Sequence, residues 1–73
     1  MRPLSQCQVG DTVTIARIMG RGLAVRLGAM GLREGDRVKI VSRISRGPLI
    51  IENLRDGGRL ALGWGMIHRI MVE

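Results

Sequence analysis

The chain has 73 residues, which suits one domain spanning residues 1–73, and a domain of this size buries only about 60% of its unfolded surface. Twelve Lys and Arg residues against six Asp and Glu residues give a net charge of +6, and a single cysteine excludes an intramolecular disulfide. No apolar run reaches the roughly 20 residues of a membrane span, and the N-terminus lacks an apolar signal segment. We therefore expect a cytoplasmic protein that does not span the membrane.

The first predicted element is a β-strand in the segment TVTIARIM, residues 12–19. Val13 and Ile15 alternate with threonines, and this period of two is typical of a strand with one buried face. The alternation shifts near Ala16, which indicates a β-bulge. The glycine-rich turn at residues 20–22 ends the strand.

A short amphipathic helix is predicted next. Leu23, Leu27 and Met30 follow one another at helical spacing and are expected to face the core. Gly31 is placed to adopt the left-handed conformation that ends a helix, and Leu32 can then fold back onto the last turn in a Schellman motif. The helix therefore lies between the first and second predicted strands.

The remaining apolar segments predict four more strands and one helical turn. In RVKIVSRIS, residues 37–45, the apolar residues Val38, Ile40 and Ile44 share one predicted face. Val41 breaks the strict alternation, which suggests a bulge or burial on both faces. The later elements are strands at residues 49–54, 59–63 and 70–72, with the helical turn at residues 66–68. Five short strands joined by tight turns predict an all-β fold, a small five-stranded barrel with one short α-helix.

The sequence offers little for catalysis or metal binding. Its six carboxylates lie mostly at turns or at the C-terminus, where they usually bond the local backbone, and none has a His or a nucleophile at a recognisable spacing. Cys7 and His68 are too few for a zinc site, and the methionines follow apolar patterns typical of a core. We therefore predict a protein that is not an enzyme, with no cofactor and no metal site in a single chain.

The basic charge is compatible with several kinds of anionic partner. Eleven of the twelve cationic residues are arginines, and they are spread along the chain instead of forming a block. Trp64 is the only aromatic residue of the Phe, Tyr and Trp class, so the stacking platforms of sequence-specific RNA binders are absent. Any nucleic-acid contact would rest on the phosphate backbone, and no specific nucleic acid is expected.

Four segments in order resemble the FeoA family, the small cytosolic partners of the FeoB ferrous-iron transporter. The FeoA domain also occurs as the C-terminal domain of some iron-dependent repressors. The four segments are VGDTVTIARI, AVRLGAMGLREGDRVKIV, GPLIIE and GRLALGWGMIHRIMV, and together they cover nearly the whole chain. The most specific part is residues 26–27, 30–32 and 35–36, which are similar to the helix and turn of the family. The chain departs from the family pattern at three positions: Glu34, Trp64 and Ile67.

The resemblance implies an SH3-like β-barrel and a non-enzymatic accessory role in ferrous iron uptake, with an FeoB-type transporter as the partner. It also implies that the helix packs across one end of the barrel, with its leucines and Met30 inward and its arginines outward. The exposed edge of that helix is the predicted docking surface, because apolar residues edged by arginines suit protein interfaces. The predicted partner-binding residues are Arg21, Leu23, Arg26, Arg33 and Trp64.

Two other interpretations remain open on the sequence. An RNA-binding SH3-like barrel of the ribosomal or translation-factor type fits the basic charge and would concentrate its arginines on one face. A free-standing regulatory module related to the C-terminal domain of iron-dependent repressors is the other, although the chain lacks the partner domain that such a module needs. Exposed apolar residues, Trp64 and Ile67 among them, also permit self-association as a homo-oligomer.

Overall fold

The computed structural model of the protein describes residues 1–73, which form one antiparallel six-stranded sheet, two α-helices and a short 3-10 helix. The strands are β1 (Arg2–Pro3), β2 (Thr12–Ile18), β3 (Arg37–Arg43), β4 (Leu49–Asn53), β5 (Arg59–Leu62) and β6 (Ile70–Val72). The helices are α1 (Arg21–Ala29), α2 (Trp64–Ile67) and the 3-10 helix Leu4–Gln6 that follows β1. Neither α-helix is long and apolar enough to cross a membrane.

The strands are arranged in the order β1-β6-β2-β3-β4-β5, which leaves β1 and β5 at the two edges of the sheet. Its inner face encloses a core of 16 buried residues that come from β2–β6, both α-helices, the 3-10 helix and the loops. The predicted all-β fold is confirmed, and the five predicted strands correspond to β2–β6. The sequence did not predict β1 because two residues, one of them Pro3, carry no periodic pattern; Arg2 nevertheless pairs with Val72 of β6.

Both predicted bulges are present. The register of β2 against β6 shifts between Ile15 and Arg17, and the register of β3 against β4 shifts between Ile40 and Ser42. The second bulge ends the simple alternation of β3, so Ile44 is 57% exposed in the β3–β4 hairpin. The prediction that Ile44 shares the buried face with Ile40 is therefore wrong.

The predicted end of α1 is confirmed. Gly31 has a φ of 95°, in the left-handed region that favours glycine. Its N–H donates to the Gly28 carbonyl at 3.1 Å, and the Leu32 N–H donates to the Leu27 carbonyl at 2.8 Å. These two bonds form a Schellman motif, and Leu32 folds back into the core as expected.

Two predictions of burial are wrong at the helix ends. Leu23 and Leu27 are buried as expected, but Met30 is 43% exposed because Leu32, folding back over the last turn, occupies the core there. Ile67, expected at the surface, is only 1% exposed. The reason is that α2 begins at Trp64, before the predicted helical turn, and this start directs Ile67 inward.

Candidate functional site

The exposed side of α1 and the loop after it form a small apolar surface bounded by arginines. We call it the α1 face and define it by five residues: Arg21, Val25, Arg26, Met30 and Arg33. Val25 is 67% exposed, and Met30 is the exposed residue that caps the helix. A spacing of four residues places Val25 one turn from Arg21 and Met30 one turn from Arg26. None of the three arginines forms an ion pair, so the α1 face combines free positive charge with exposed apolar area.

The structure places the five predicted partner-binding residues in three different settings. Arg21, Arg26 and Arg33 are exposed and belong to the α1 face. Leu23 is 3% exposed and packs in the core, so it supports α1 from beneath and offers no surface to a partner. Trp64 begins α2, which packs on the 3-10 helix near the N-terminus.

The loop that follows α1 is tied to β2 by three hydrogen bonds. The Gly35 N–H donates to the Ile15 carbonyl at 2.7 Å, and the Ile15 N–H donates to the Asp36 carbonyl at 2.8 Å. The Glu34 carboxylate accepts the Ile18 N–H at 3.0 Å. These bonds fix the loop relative to the strand that precedes α1, so both ends of the helix are held by the same part of the sheet.

A side-chain network holds the C-terminal end of α1, and sequence reasoning missed it. The Asn53 side chain, 2% exposed, donates to the Gly31 carbonyl at 3.0 Å and to the Asp36 carboxylate at 2.9 Å. Arg55 donates to the same carbonyl at 2.8 Å and to the same carboxylate at 3.3 Å. The available signal was an Asn at the end of the apolar strand LIIEN, because a polar side chain at a buried strand position requires hydrogen-bond partners.

The network also sets the ionisation of Asp36. Partial burial raises the pKa of Asp36, but hydrogen bonds from Arg55, from the Arg33 N–H and from Asn53 outweigh it and hold the pKa below the ordinary value of 3.8. The carboxylate in turn raises the pKa of the Arg55 guanidinium through their hydrogen bond. A carboxyl with a lowered pKa contributes stability above its unfolded pKa, and this contribution is lost as the pH falls through its folded pKa.

We therefore predict that Asp36→Asn flattens the acid dependence of folding stability. The free energy of unfolding of the unmodified protein should decrease as the pH falls from about 5 to about 3, because Asp36 takes up a proton on unfolding. The Asp36→Asn variant should be less stable at neutral pH and lose less over the same interval. Urea unfolding at each pH measures the difference. Glu73→Gln is the matched control, because its side chain has no ion pair, and an equally flattened profile in that variant would contradict the role of Asp36.

Most cationic side chains have no acidic partner. The ion pairs involve only Arg2, Arg55 and Arg59, and Arg43 instead donates to the carbonyls of Cys7 at 2.7 Å and Ser5 at 2.8 Å. The others are Arg17, Arg21, Arg26, Arg33, Arg37, Lys39, Arg46 and Arg69. They lie on β2, α1, β3 and the loops. No single helix or strand therefore gathers the cationic side chains that the RNA-binding alternative would use.

The residues with metal-binding chemistry are dispersed. No three His, Cys, Asp or Glu side chains are grouped as ligands of a metal ion. His68 packs edge-to-face with Trp64, with ring centroids 4.6 Å apart and an interplanar angle of 87°. Burial raises the pKa of the Cys7 thiol, which is 1% exposed. His68 and Cys7 are therefore packed against other side chains of the protein.

Two open depressions lie on the outer surface. The first, of about 340 Å³, lies against the Asp36–Arg55 pair and includes Leu54. The second, of about 310 Å³, is lined by Lys39, Glu52 and Arg59 on the outer side of the sheet, with the turn at residues 9–10 at its rim. Each depression places cationic side chains beside an acidic one.

Comparison with known proteins gives a family for this chain. The family model described as the FeoA domain matches residues 2–73, whereas no curated protein sequence matches. A solved structure of an iron uptake regulatory protein, FeoA, has 34% sequence identity and a TM-score of 0.84, and the match covers 99% of this chain and 93% of that one.

Two further structures show how widely the fold occurs. A manganese-dependent transcriptional repressor in complex with manganese has 25% identity and a TM-score of 0.89, and this chain spans only 35% of the repressor. FeoA of Stenotrophomonas maltophilia in complex with zinc, described as a prokaryotic SH3 domain protein, has 20% identity and a TM-score of 0.81, with 100% of this chain and 91% of that one covered. The second likeness confirms the predicted SH3-like fold. Because the family model spans nearly every residue, the protein belongs to the FeoA domain family, and its role lies in ferrous iron transport.

Proposed function

We propose that the protein is a non-enzymatic accessory protein of ferrous iron uptake that acts in the cytoplasm by binding an FeoB-type transporter through the α1 face. The family match supports the iron-transport role. The observation that carries the choice of surface is the α1 face itself, where Val25 and Met30 are exposed between arginines that no acidic side chain neutralises.

The composition of the α1 face suits a protein interface. Two apolar side chains supply area that gains free energy when it leaves water. Arginine is enriched at interfaces because its planar guanidinium forms several hydrogen bonds and packs on apolar groups. The free positive charge of Arg21, Arg26 and Arg33 would also steer the chain toward an acidic surface and raise the rate of association.

The α1 face is also held in place before any partner arrives. The Schellman motif ends α1, and the side chains of Asn53 and Arg55 hold the Gly31 carbonyl directly after it. A surface that is already ordered loses less conformational entropy on binding, so more of its contact free energy contributes to affinity. This rigidity favours the α1 face as a docking surface, compared with a loop that becomes ordered only when a partner binds.

The proposal predicts that Arg26→Glu weakens binding to the transporter without unfolding the protein. Tagged protein is incubated with membranes that contain an FeoB-type transporter and with membranes that lack it, at moderate and high salt. Retention of Arg26→Glu should fall by roughly tenfold, because a favourable charge pair is replaced by a repulsive one at the interface. Arg46→Glu is the matched control, since it makes the same charge change at the exposed β3–β4 hairpin.

The two variants separate the possible outcomes. Full retention of a folded Arg26→Glu variant would remove the α1 face from the proposal. Equal losses in Arg26→Glu and Arg46→Glu would show that binding depends on net charge and not on this surface. Salt-sensitive nucleic acid in the eluate, with no specific retention by the transporter, would favour the RNA-binding alternative.

A further inference from the structure

The edge strand β5 presents free backbone groups to solvent. β5 pairs only with β4, as the last strand of the sheet, and no helix or strand follows it in the sheet order. An open edge of this kind is a template for another strand, and proteins blunt it with short strands, charged side chains, prolines, bulges or a covering segment. β5 is four residues long and carries the charge of Arg59, which discourages a cationic strand and favours an acidic one. The segment Arg59–Leu62 contains no proline, and its register against β4 runs without a shift.

The register shows which backbone groups are free. The Asn53 N–H donates to the Gly58 carbonyl at 2.8 Å, and hydrogen-bonded positions of an antiparallel pair recur every second residue. Leu60 and Leu62 therefore direct their N–H and carbonyl groups toward β4. Arg59 and Ala61 direct theirs away from the sheet, and no other backbone group of the chain bonds them.

The outer face of the sheet carries alternating charges that end at this edge. Register pairing places Lys39 of β3 opposite Glu52 of β4, and Glu52 opposite Arg59 of β5. Arg59 lies 3.4 Å from Glu52, and its side chain is still 62% exposed. The next position in this row, on a strand added beyond β5, would face Arg59, and opposite charges on neighbouring strands stabilise each other.

The open depression of about 310 Å³ lies over the same row of charges. Its lining includes Lys39 and Arg59 on either side of Glu52. A carboxylate on a strand added beyond β5 lies one strand spacing, about 4.8 Å, from Arg59 and two from Glu52, so the net interaction is attractive. A second copy of this chain is a poor occupant of the edge, because each copy carries a net charge of +6.

We propose that β5 binds an extended acidic segment of a partner protein, which adds to the sheet as a seventh strand and places a carboxylate against Arg59. Backbone bonds to Arg59 and Ala61 supply affinity, and the charge row selects acidic side chains. The site goes beyond the docking function proposed for the α1 face and does not depend on it.

Amide hydrogen exchange of the full chain tests the proposal. The probe is the blocked peptide Thr-Glu-Val-Glu-Val-Thr, and the matched probe has Lys in place of Glu. We expect the acidic peptide to slow exchange at Arg59 and Ala61 by roughly tenfold when about nine-tenths of the chain is bound, because only free chains then exchange at the edge. The lysine peptide should give no protection there.

A proline at the edge is the decisive variant. Ala61→Pro removes an outward N–H and leaves the β4–β5 hydrogen bonds in place, so it should bind the acidic peptide at least about tenfold more weakly. Ala61→Val keeps the N–H and should bind as the unmodified chain does. Arg59→Glu provides an independent reading if the proline variant does not fold: it should weaken binding of the acidic peptide and strengthen binding of the lysine peptide.

Three results would overturn the proposal. The first is equal binding of both peptides, since the charge row would then select nothing. The second is unchanged peptide binding by folded Ala61→Pro. The third is protection of Arg59 and Ala61 that rises with protein concentration in the absence of peptide, which would assign the edge to a second copy. Arg26→Glu should bind the acidic peptide normally, so failure here and failure of the α1 face are distinguishable.

Discussion

Leu27→Ala is expected to lower the free energy of unfolding by about 3 kcal/mol, in the range measured for Leu-to-Ala changes at buried sites. Leu27 is fully buried and is the core contact of the last turn of α1. The loss combines the transfer free energy of the removed carbons with the cavity left behind, and the cavity persists because α1 is tied to the sheet at both ends. A domain of 73 residues has a total stability of about 4 to 11 kcal/mol, so the change removes a large share.

Met30→Ala is the matched comparison for this prediction. Met30 lies less than one helical turn after Leu27, but it is 43% exposed. The substitution should therefore change the free energy of unfolding by less than about 1 kcal/mol. Urea unfolding of both variants measures the difference. Similar losses in the two variants would contradict the burial of α1 described above.

The pair also separates stability from docking. Leu27→Ala alters the support of α1, and at temperatures where the variant is still folded the α1 face keeps its exposed side chains. Arg26→Glu alters the face and leaves the core unchanged. If the α1 face is the docking surface, Arg26→Glu loses binding while it remains folded, whereas folded Leu27→Ala keeps most of its binding at reduced stability.

The parts of the fold that were predicted correctly depend on neighbouring residues. The end of α1 follows from a left-handed glycine and a leucine directly after it, and both are visible in the sequence at residues 31–32. The bulge in β2 follows from a shift in alternation near Ala16, which the register of β2 against β6 confirms. Such features are fixed by local geometry, so a sequence read in order is enough to find them.

The errors arose where three-dimensional packing, and not periodicity along the chain, decides the outcome. Met30 fits the helical stripe, but Leu32 returns to the same part of the core and leaves Met30 outside. Ile44 fits the strand pattern, but the bulge before Ser42 ends that pattern. The docking residue Leu23 lies on the inner side of the same helix as Arg26, and only the packing shows which side faces the sheet. Periodicity predicts an apolar face but does not say where the face ends.

The Asn53 network was beyond local reasoning for the same physical reason. Its members come from the end of α1, from the turn before β3 and from the end of β4, and hydrogen bonding between them spans 17 to 24 residues. The sequence identified Asp36 as a turn residue, and its carboxylate does accept the Arg33 N–H at 3.0 Å. The additional partners became apparent only once β4 was placed beside β3.

Asn53→Ala is expected to cost roughly 3 kcal/mol, because three hydrogen bonds of the side chain are lost and a hydrogen bond contributes about 1 kcal/mol, or more to a charged group. Two of them are donations of the side-chain amide to the Gly31 carbonyl and the Asp36 carboxylate. In the third, the side-chain oxygen Oδ1 of Asn53 accepts the backbone N–H of Arg55 at 3.0 Å. Because Asn53 is 2% exposed, water has little access to replace these bonds.

Asn53→Asp distinguishes hydrogen bonding from simple packing. The new side chain has the same size and can still accept the Arg55 N–H, but at neutral pH it places a second carboxylate where an amide donated to Asp36 at 2.9 Å. Repulsion between the two carboxylates raises the pKa of one of them in the folded state, so folding takes up a proton. The free energy of unfolding of this variant should therefore increase as the pH falls from about 7 to about 5. Asn53→Ala should show no such rise. Urea unfolding at both pH values measures this, and parallel pH profiles for the two variants would show that the donation of Asn53 to the Asp36 carboxylate does not hold the end of α1.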